Sequence, residues 1–169
     1  MRFCKRLFVL LITIIFLWSL AYYLIGGYKK HINIVKECSQ KYGVSIYLIL
    51  AVIKTESSFN ETAISNKGAV GLMQILPSTC EFICEKYGIE NESLLVANFN
   101  VKVGTLYLKY LIEKFGSERV AVIAYNAGEG RVTSWLKNGQ INDIPYGETK
   151  RYAKKVFLRK RAYKAIILI

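Results

Sequence analysis

Glu56 is the residue of this chain best placed to move a proton. It closes a segment in which Leu48, Ile49, Val52 and Ile53 recur at helical spacing, which predicts a helix starting after Ser45 and ending near Ser57. A carboxyl group at a helix C-terminus meets the negative end of the macrodipole, and apolar neighbours withhold water. Both effects favour the protonated acid, the state a general acid needs. A Glu taken in isolation is more often a solvated last-turn residue, so the surrounding sequence decides the reading.

Four short segments follow one another: Glu56-Ser57, Gly71-Leu72-Met73-Gln74-Ile75-Leu76-Pro77, Ala124-Tyr125-Asn126-Ala127-Gly128, and Pro145-Tyr146-Gly147-Glu148-Thr149-Lys150-Arg151-Tyr152. Gln74 carries an amide with donors and an acceptor, suited to sugar hydroxyls and N-acetyl groups. Met73 offers a polarisable contact to a sugar face, although plugging the core is the stronger reading of that residue alone. Ser57 can bond near the carboxylate or touch water at the helix end. Asn126 both donates and accepts, so it can hold an acetamido group or order a turn. Neither central segment contains Asp or Glu. One carboxylate is therefore supported where ordinary glycosidases use two; Glu148 reads as a first-turn residue at a favourable helix N-terminus.

In order and spacing, these segments resemble the soluble lytic transglycosylase family, whose catalytic domain is related to goose-type lysozyme. The resemblance spans roughly Ile34 to Phe157. It implies a mainly α, lysozyme-like helical domain in which Glu56 acts as acid and then base, while the Tyr152 hydroxyl bonds the catalytic carboxylate. It places Ser57, Met73, Gln74, Tyr125 and Asn126 in the substrate cleft. The implied substrate is the glycan strand of peptidoglycan. The bond between N-acetylmuramic acid and N-acetylglucosamine would be cleaved with formation of a 1,6-anhydromuramoyl product, without metal or organic cofactor. The alternatives are a lysozyme-type hydrolase of the same fold and a non-catalytic peptidoglycan-binding assembly protein.

The elements that must position these residues are legible as helices. His31 to Tyr42 forms a short one ended by Gly43; Pro77 suits the first turn of another running to about Tyr87. Leu94 to Phe115 carries a stripe through Leu95, Phe99, Val103, Leu106, Tyr107, Tyr110 and Leu111 that reads as core. Ser117 is an expected N-cap for a helix delivering Tyr125 and Asn126, and Glu148 to Lys164 reads as the closing helix. Between Ser57 and Gly71 the Ser, Asn and Gly content marks a loop.

Residues 1–30 read as a cytoplasmic basic tail and membrane anchor, and residues 31–169 as the catalytic domain. Arg2, Lys5 and Arg6 precede an apolar run from Leu7 to Ile25, long enough to cover most of a bilayer core of about 30 Å. A cleaved signal peptide is the rival, since Ser19-Leu20-Ala21 offers small residues to a peptidase; the protein would then be secreted. With the anchor retained, the chain is a single-pass membrane protein with its catalytic domain outside the cytoplasm. The net charge of +12 is concentrated in the closing helix and suits an anionic membrane or wall. No nucleic-acid-binding motif accompanies it. His31, the one histidine, reads as a solvated linker residue, and no zinc pattern is present. Cys38, Cys80 and Cys84 read as small buried thiols, with one disulfide left open.

Overall fold

The computed structural model describes residues 2–142 and 147–167. The described chain is helical: α1 Arg2–Ile25, α2 Ile32–Tyr42, α3 Ile46–Glu56, α4 Pro77–Tyr87, α5 Ala97–Phe115, α6 Glu118–Ala127, α7 Glu129–Lys137 and α8 Gly147–Ile166. Local chemistry sets several boundaries. The Ser117 side chain accepts from the Val120 amide to cap α6, and Pro77 opens α4 where its missing N–H costs nothing.

Helix α3 forms the centre. Leu48 to Ile53 are all fully buried, as expected of a helix apolar on every side. It lies along α8 and against α2, while α5 packs on α2, α4 and α6. Burying α3 on α8 brings residues about a hundred positions apart to one end of the bundle.

No strand occurs among the described residues. Residues 57–76 form a loop held by isolated antiparallel bridges, Ile64 with Val70 and Val70 with Ile75. Asn100, buried within α5, fastens this loop to the bundle: its Oδ1 accepts from the Met73 amide at 2.8 Å, and its Nδ2 donates to Val70 and Leu94 carbonyls at 2.9 Å each. Two glycines make the close approach feasible. Gly71 has φ +77°, and a Cβ there would come within 2.8 Å of Asn100 Cγ; one on Gly104 would lie 2.8 Å from Met73 Cβ. Gly104 thus makes room for the loop.

Two expectations need correction, and two further features emerge. His31 is buried, 2% exposed, and stacks on Phe59 with ring centroids 5.9 Å apart. The turn at Tyr28–His31 folds it inward, and burial lowers its pKa, partly offset by Glu61. In the α5 stripe Leu95 is exposed and Tyr107 and Tyr110 are only partly buried; the helix begins at Ala97, and its aromatic edge reaches the surface. Helix α7 had no clear signal in its short sequence, because burial of Val132 and Trp135 sustains it rather than intrinsic propensity. The C-terminal residues divide: Ile167 packs inward and Ile166 is exposed, while Leu168 and Ile169 lie outside the described residues.

Cys38, Cys80 and Cys84 are free buried thiols. Burial raises Cys38 to about 11 and Cys80 to about 12, so both stay protonated and unreactive. Helix α1 exposes Phe8, Ile15, Phe16, Leu17 and Trp18. Among the described residues no helix is long and apolar enough to cross a membrane.

Candidate active site

Helix α8 grips the C-terminal turn of α3 at two points. Tyr152 Oη donates to Glu56 Oε1 at 2.6 Å. Two turns further along, Arg159 Nη1 donates to Thr55 Oγ1 at 2.8 Å and to the Lys54 carbonyl at 3.2 Å. A cation on the last carbonyls of a helix answers its negative dipole end, so Arg159 steadies the turn that carries Glu56.

Glu56 is half-buried, and its carboxyl group is largely withdrawn from water. That burial raises its pKa from 4.5 to about 7, and the Tyr152 hydrogen bond opposes the rise. The acid is therefore substantially protonated at neutral pH. Burial, then the proximity of Glu56, holds the Tyr152 and Tyr125 hydroxyls well above their ordinary pKa, so both remain donors.

The loop after α3 is tied in from several sides. Ser57 Oγ lies 2.8 Å from the Leu72 carbonyl and 3.3 Å from that of Ile53, and its single proton serves one of them. Tyr125 Oη donates to the Met73 carbonyl at 2.8 Å. Gln74 sits at φ +49°, and its Nε2 donates to the Ala63 and Gly71 carbonyls at 3.0 and 2.9 Å. Both amide protons of Gln74 are thus spent on the loop, which leaves its carbonyl oxygen for any sugar. Asn126 is exposed at the end of α6, and its Oδ1 accepts from Thr149 Oγ1 of α8 at 3.0 Å.

Glu56, Ser57, Gln74, Tyr125 and Tyr152 are thereby gathered around one loop, with Asn126 joined to the start of α8. Met73 stands apart: its side chain is fully buried against Gly104 and presents no surface to a ligand. Its backbone, held by Asn100 and Tyr125, is what serves the site. Pro145 and Tyr146 of the fourth segment lie outside the described residues. Sequence reasoning missed Asn100, Thr149 and Arg159. The signal for Asn100 was a polar residue beside Phe99 within an apolar stripe; Arg159 was hidden among many cations. Tyr107 was assigned to the core, yet its ring lies 5.3 Å from Tyr125, with Tyr110 a further 6.3 Å along and Phe82 5.1 Å beyond that. An aromatic row thus leads away from Tyr125.

A helical bundle with one buried acid at the end of its central helix, held by a tyrosine from its last helix, is the architecture of a lysozyme-like transglycosylase domain. The family model described as "Transglycosylase SLT domain" matches residues 33–145, and the chain belongs to this family. It is 35% identical over 142 residues to the soluble lytic murein transglycosylase of Escherichia coli K12, covering 76% of this chain and 21% of that one. Membrane-bound lytic murein transglycosylase C of Yersinia enterocolitica is 34% identical, with 88% of this chain and 52% of the relative covered. The chain thus spans about a fifth to a half of these relatives. Among solved structures, an inactive mutant of the lytic transglycosylase Slt from Pseudomonas aeruginosa superposes with a TM-score of 0.74 at 32% identity, covering 80% of this chain and 24% of that one.

Proposed function

We propose that this protein is a peptidoglycan lytic transglycosylase, cleaving between N-acetylmuramic acid and N-acetylglucosamine with formation of a 1,6-anhydromuramoyl end. The carrying observation is the state of Glu56: a buried acid with a pKa near 7, on which burial and the Tyr152 bond act and no neighbouring carboxylate does. Such a group can both give and take a proton near neutrality. Because Tyr152 donates to Oε1, the acidic proton resides on Oε2. Glu56 gives it to the glycosidic oxygen as the C1–O bond breaks, and the muramoyl acetamido group stabilises the cation at C1. The Glu56 carboxylate then takes the proton of the C6 hydroxyl, whose oxygen bonds C1 and closes the ring. No water is consumed. Substrate assistance supplies what a second carboxylate supplies in ordinary glycosidases, and no metal or organic cofactor takes part.

Glu56 and Tyr152 are the catalytic pair in this reading; Ser57, Gln74, Tyr125 and Asn126 shape the cleft, and Met73 contributes through its backbone. Helix α1 anchors the domain, residues 31–169, outside the cytoplasm. Its apolar, exposed side chains and the membrane-bound relative support that placement. The full chain, recovered from a membrane pellet after an alkaline wash, is expected to release anhydromuropeptides from purified sacculi, each lighter by one water than the hydrolytic product. Ordinary reducing muramic acid in the digest would assign the hydrolase instead, and recovery in the wash would remove the anchor.

Tyr152→Phe removes the one bond that lowers the Glu56 pKa. The alkaline limb of kcat/KM, where activity is lost as Glu56 deprotonates, is expected to move to higher pH, and the rate at the optimum to fall about tenfold or more. An unmoved limb would show that the hydroxyl does not tune the acid.

A further inference from the structure

Helices α6 and α8 run side by side in opposite directions: Asn126, late in α6, meets Thr149 at the start of α8, and Glu118, at the start of α6, pairs with Lys160 late in α8. The seam between them holds a groove of about 460 Å³. Arg119, Lys150, Lys154 and Arg161 line it, above a floor that includes buried Ile123 and half-buried Phe157. Lys150, Lys154 and Arg161 fall at i, i+4 and i+11 of one helix, so like charges share one face for roughly 16 Å. Such neighbours repel and weaken a helix rather than stabilise it. Arg119, Lys154 and Arg161 make no ion pair among the described residues, and the adjacent Glu118 is already engaged by Lys160, at 2.7 Å from Oε2. Around Arg119, Lys154 and Arg161 the described part of the seam gathers positive charge without a paired carboxylate.

We propose that this groove binds a linear phosphodiester polymer with an aliphatic polyol backbone, seated along the α6–α8 seam beside the cleft. Its shape and chemistry select that occupant. A concave channel admits a chain, whereas a bilayer meets a flat or convex face. Two of the four cations are arginines, whose planar fork matches phosphate oxygens. The apolar floor suits the hydrocarbon segments between phosphates. Phe157 lies in the floor as a lone ring, where single-stranded nucleic acid needs a succession of stacking platforms. The groove contains no residue of the catalytic cluster, so it serves to hold the protein on a phosphate-bearing wall independently of cleavage.

The test uses the full chain in zwitterionic detergent and a synthetic glycerol-phosphate oligomer of about ten repeats. Binding is measured by calorimetry over a salt range of roughly 50 to 300 mM. Lys154→Glu with Arg161→Glu is expected to weaken binding more than tenfold and to flatten its salt dependence. Lys36→Glu with Lys41→Glu, the same charge change on exposed residues of α2, is expected to leave it within about twofold. Equal losses in the two double variants would reduce the effect to overall basicity and overturn the proposal. So would tighter binding of oligothymidylate, poly-glutamate or phosphatidylglycerol vesicles than of the oligomer. Matching thermal melts of the variants and parent exclude misfolding. Should a double variant melt early, Arg119→Gln, a change on an exposed side chain of the opposite wall, is expected to weaken oligomer binding severalfold; unchanged affinity there overturns the proposal as well.

Discussion

Glu56→Gln is expected to lose glycan cleavage by about 10³-fold or more while producing a protein more stable than its parent above pH 7. The amide is nearly isosteric and can still accept from Tyr152, but it has no proton to give the glycosidic oxygen and no basic oxygen to take one from the C6 hydroxyl. The stability change follows from linkage. The folded protein holds the Glu56 proton up to about pH 7, whereas the unfolded chain releases it near 4.5. Folded stability is therefore complete below about 4.5 and declines as pH rises through 7, by on the order of 3 kcal/mol. Gln does not ionise and escapes that loss. The melting temperature of Glu56→Gln should exceed the parent's by about 5–10 °C at pH 8 and match it at pH 4. A difference independent of pH would mean that Glu56 is not a buried acid; retained cleavage would mean that it is not the catalytic one.

Asn100→Ala is expected to be the most destabilising single change near the site, by about 3–5 kcal/mol, with a fall in melting temperature of about 10 °C or more. It strips partners from the buried Met73 amide and from two carbonyls, and opens a cavity against Gly71. The Gly71–Gln74 turn would lose its tie to α5 while Glu56 stays intact. Below the melting temperature, kcat/KM should fall even though the alkaline limb set by Glu56 stays in place. A melt within 2 °C of the parent, as a working threshold of about 1 kcal/mol or less, would show that Ser57 and Tyr125 hold the loop unaided.

Much of this protein is local and so was readable in one dimension. The bounds of α2, α3 and α4 follow from the Ser45, Gly43 and Pro77 signals and from apolar recurrence, since the energies that start and stop a helix act within one turn. That an acid sits at the end of a largely apolar helix was equally local, and the four segments identified the family.

Other features depend on approach across space. Met73 and Gln74 are adjacent in the chain, yet the first is sealed against Gly104 and the second spends its amide protons on Ala63 and Gly71. Neither fate is written in residue type. His31 has no local reason to be buried and becomes so because Phe59 arrives above it.

Most of the helices, the family and the single acid were already written in one dimension, α7 excepted, because propensity, capping and periodicity are short-range. Folding in three dimensions was needed to hold the acid near neutrality, to bring Tyr152 and Arg159 onto the same turn, and to set Arg119 of α6 beside Lys154 and Arg161 of α8. Desolvation and charge depend on which atoms surround a group, and those atoms come from distant parts of the chain.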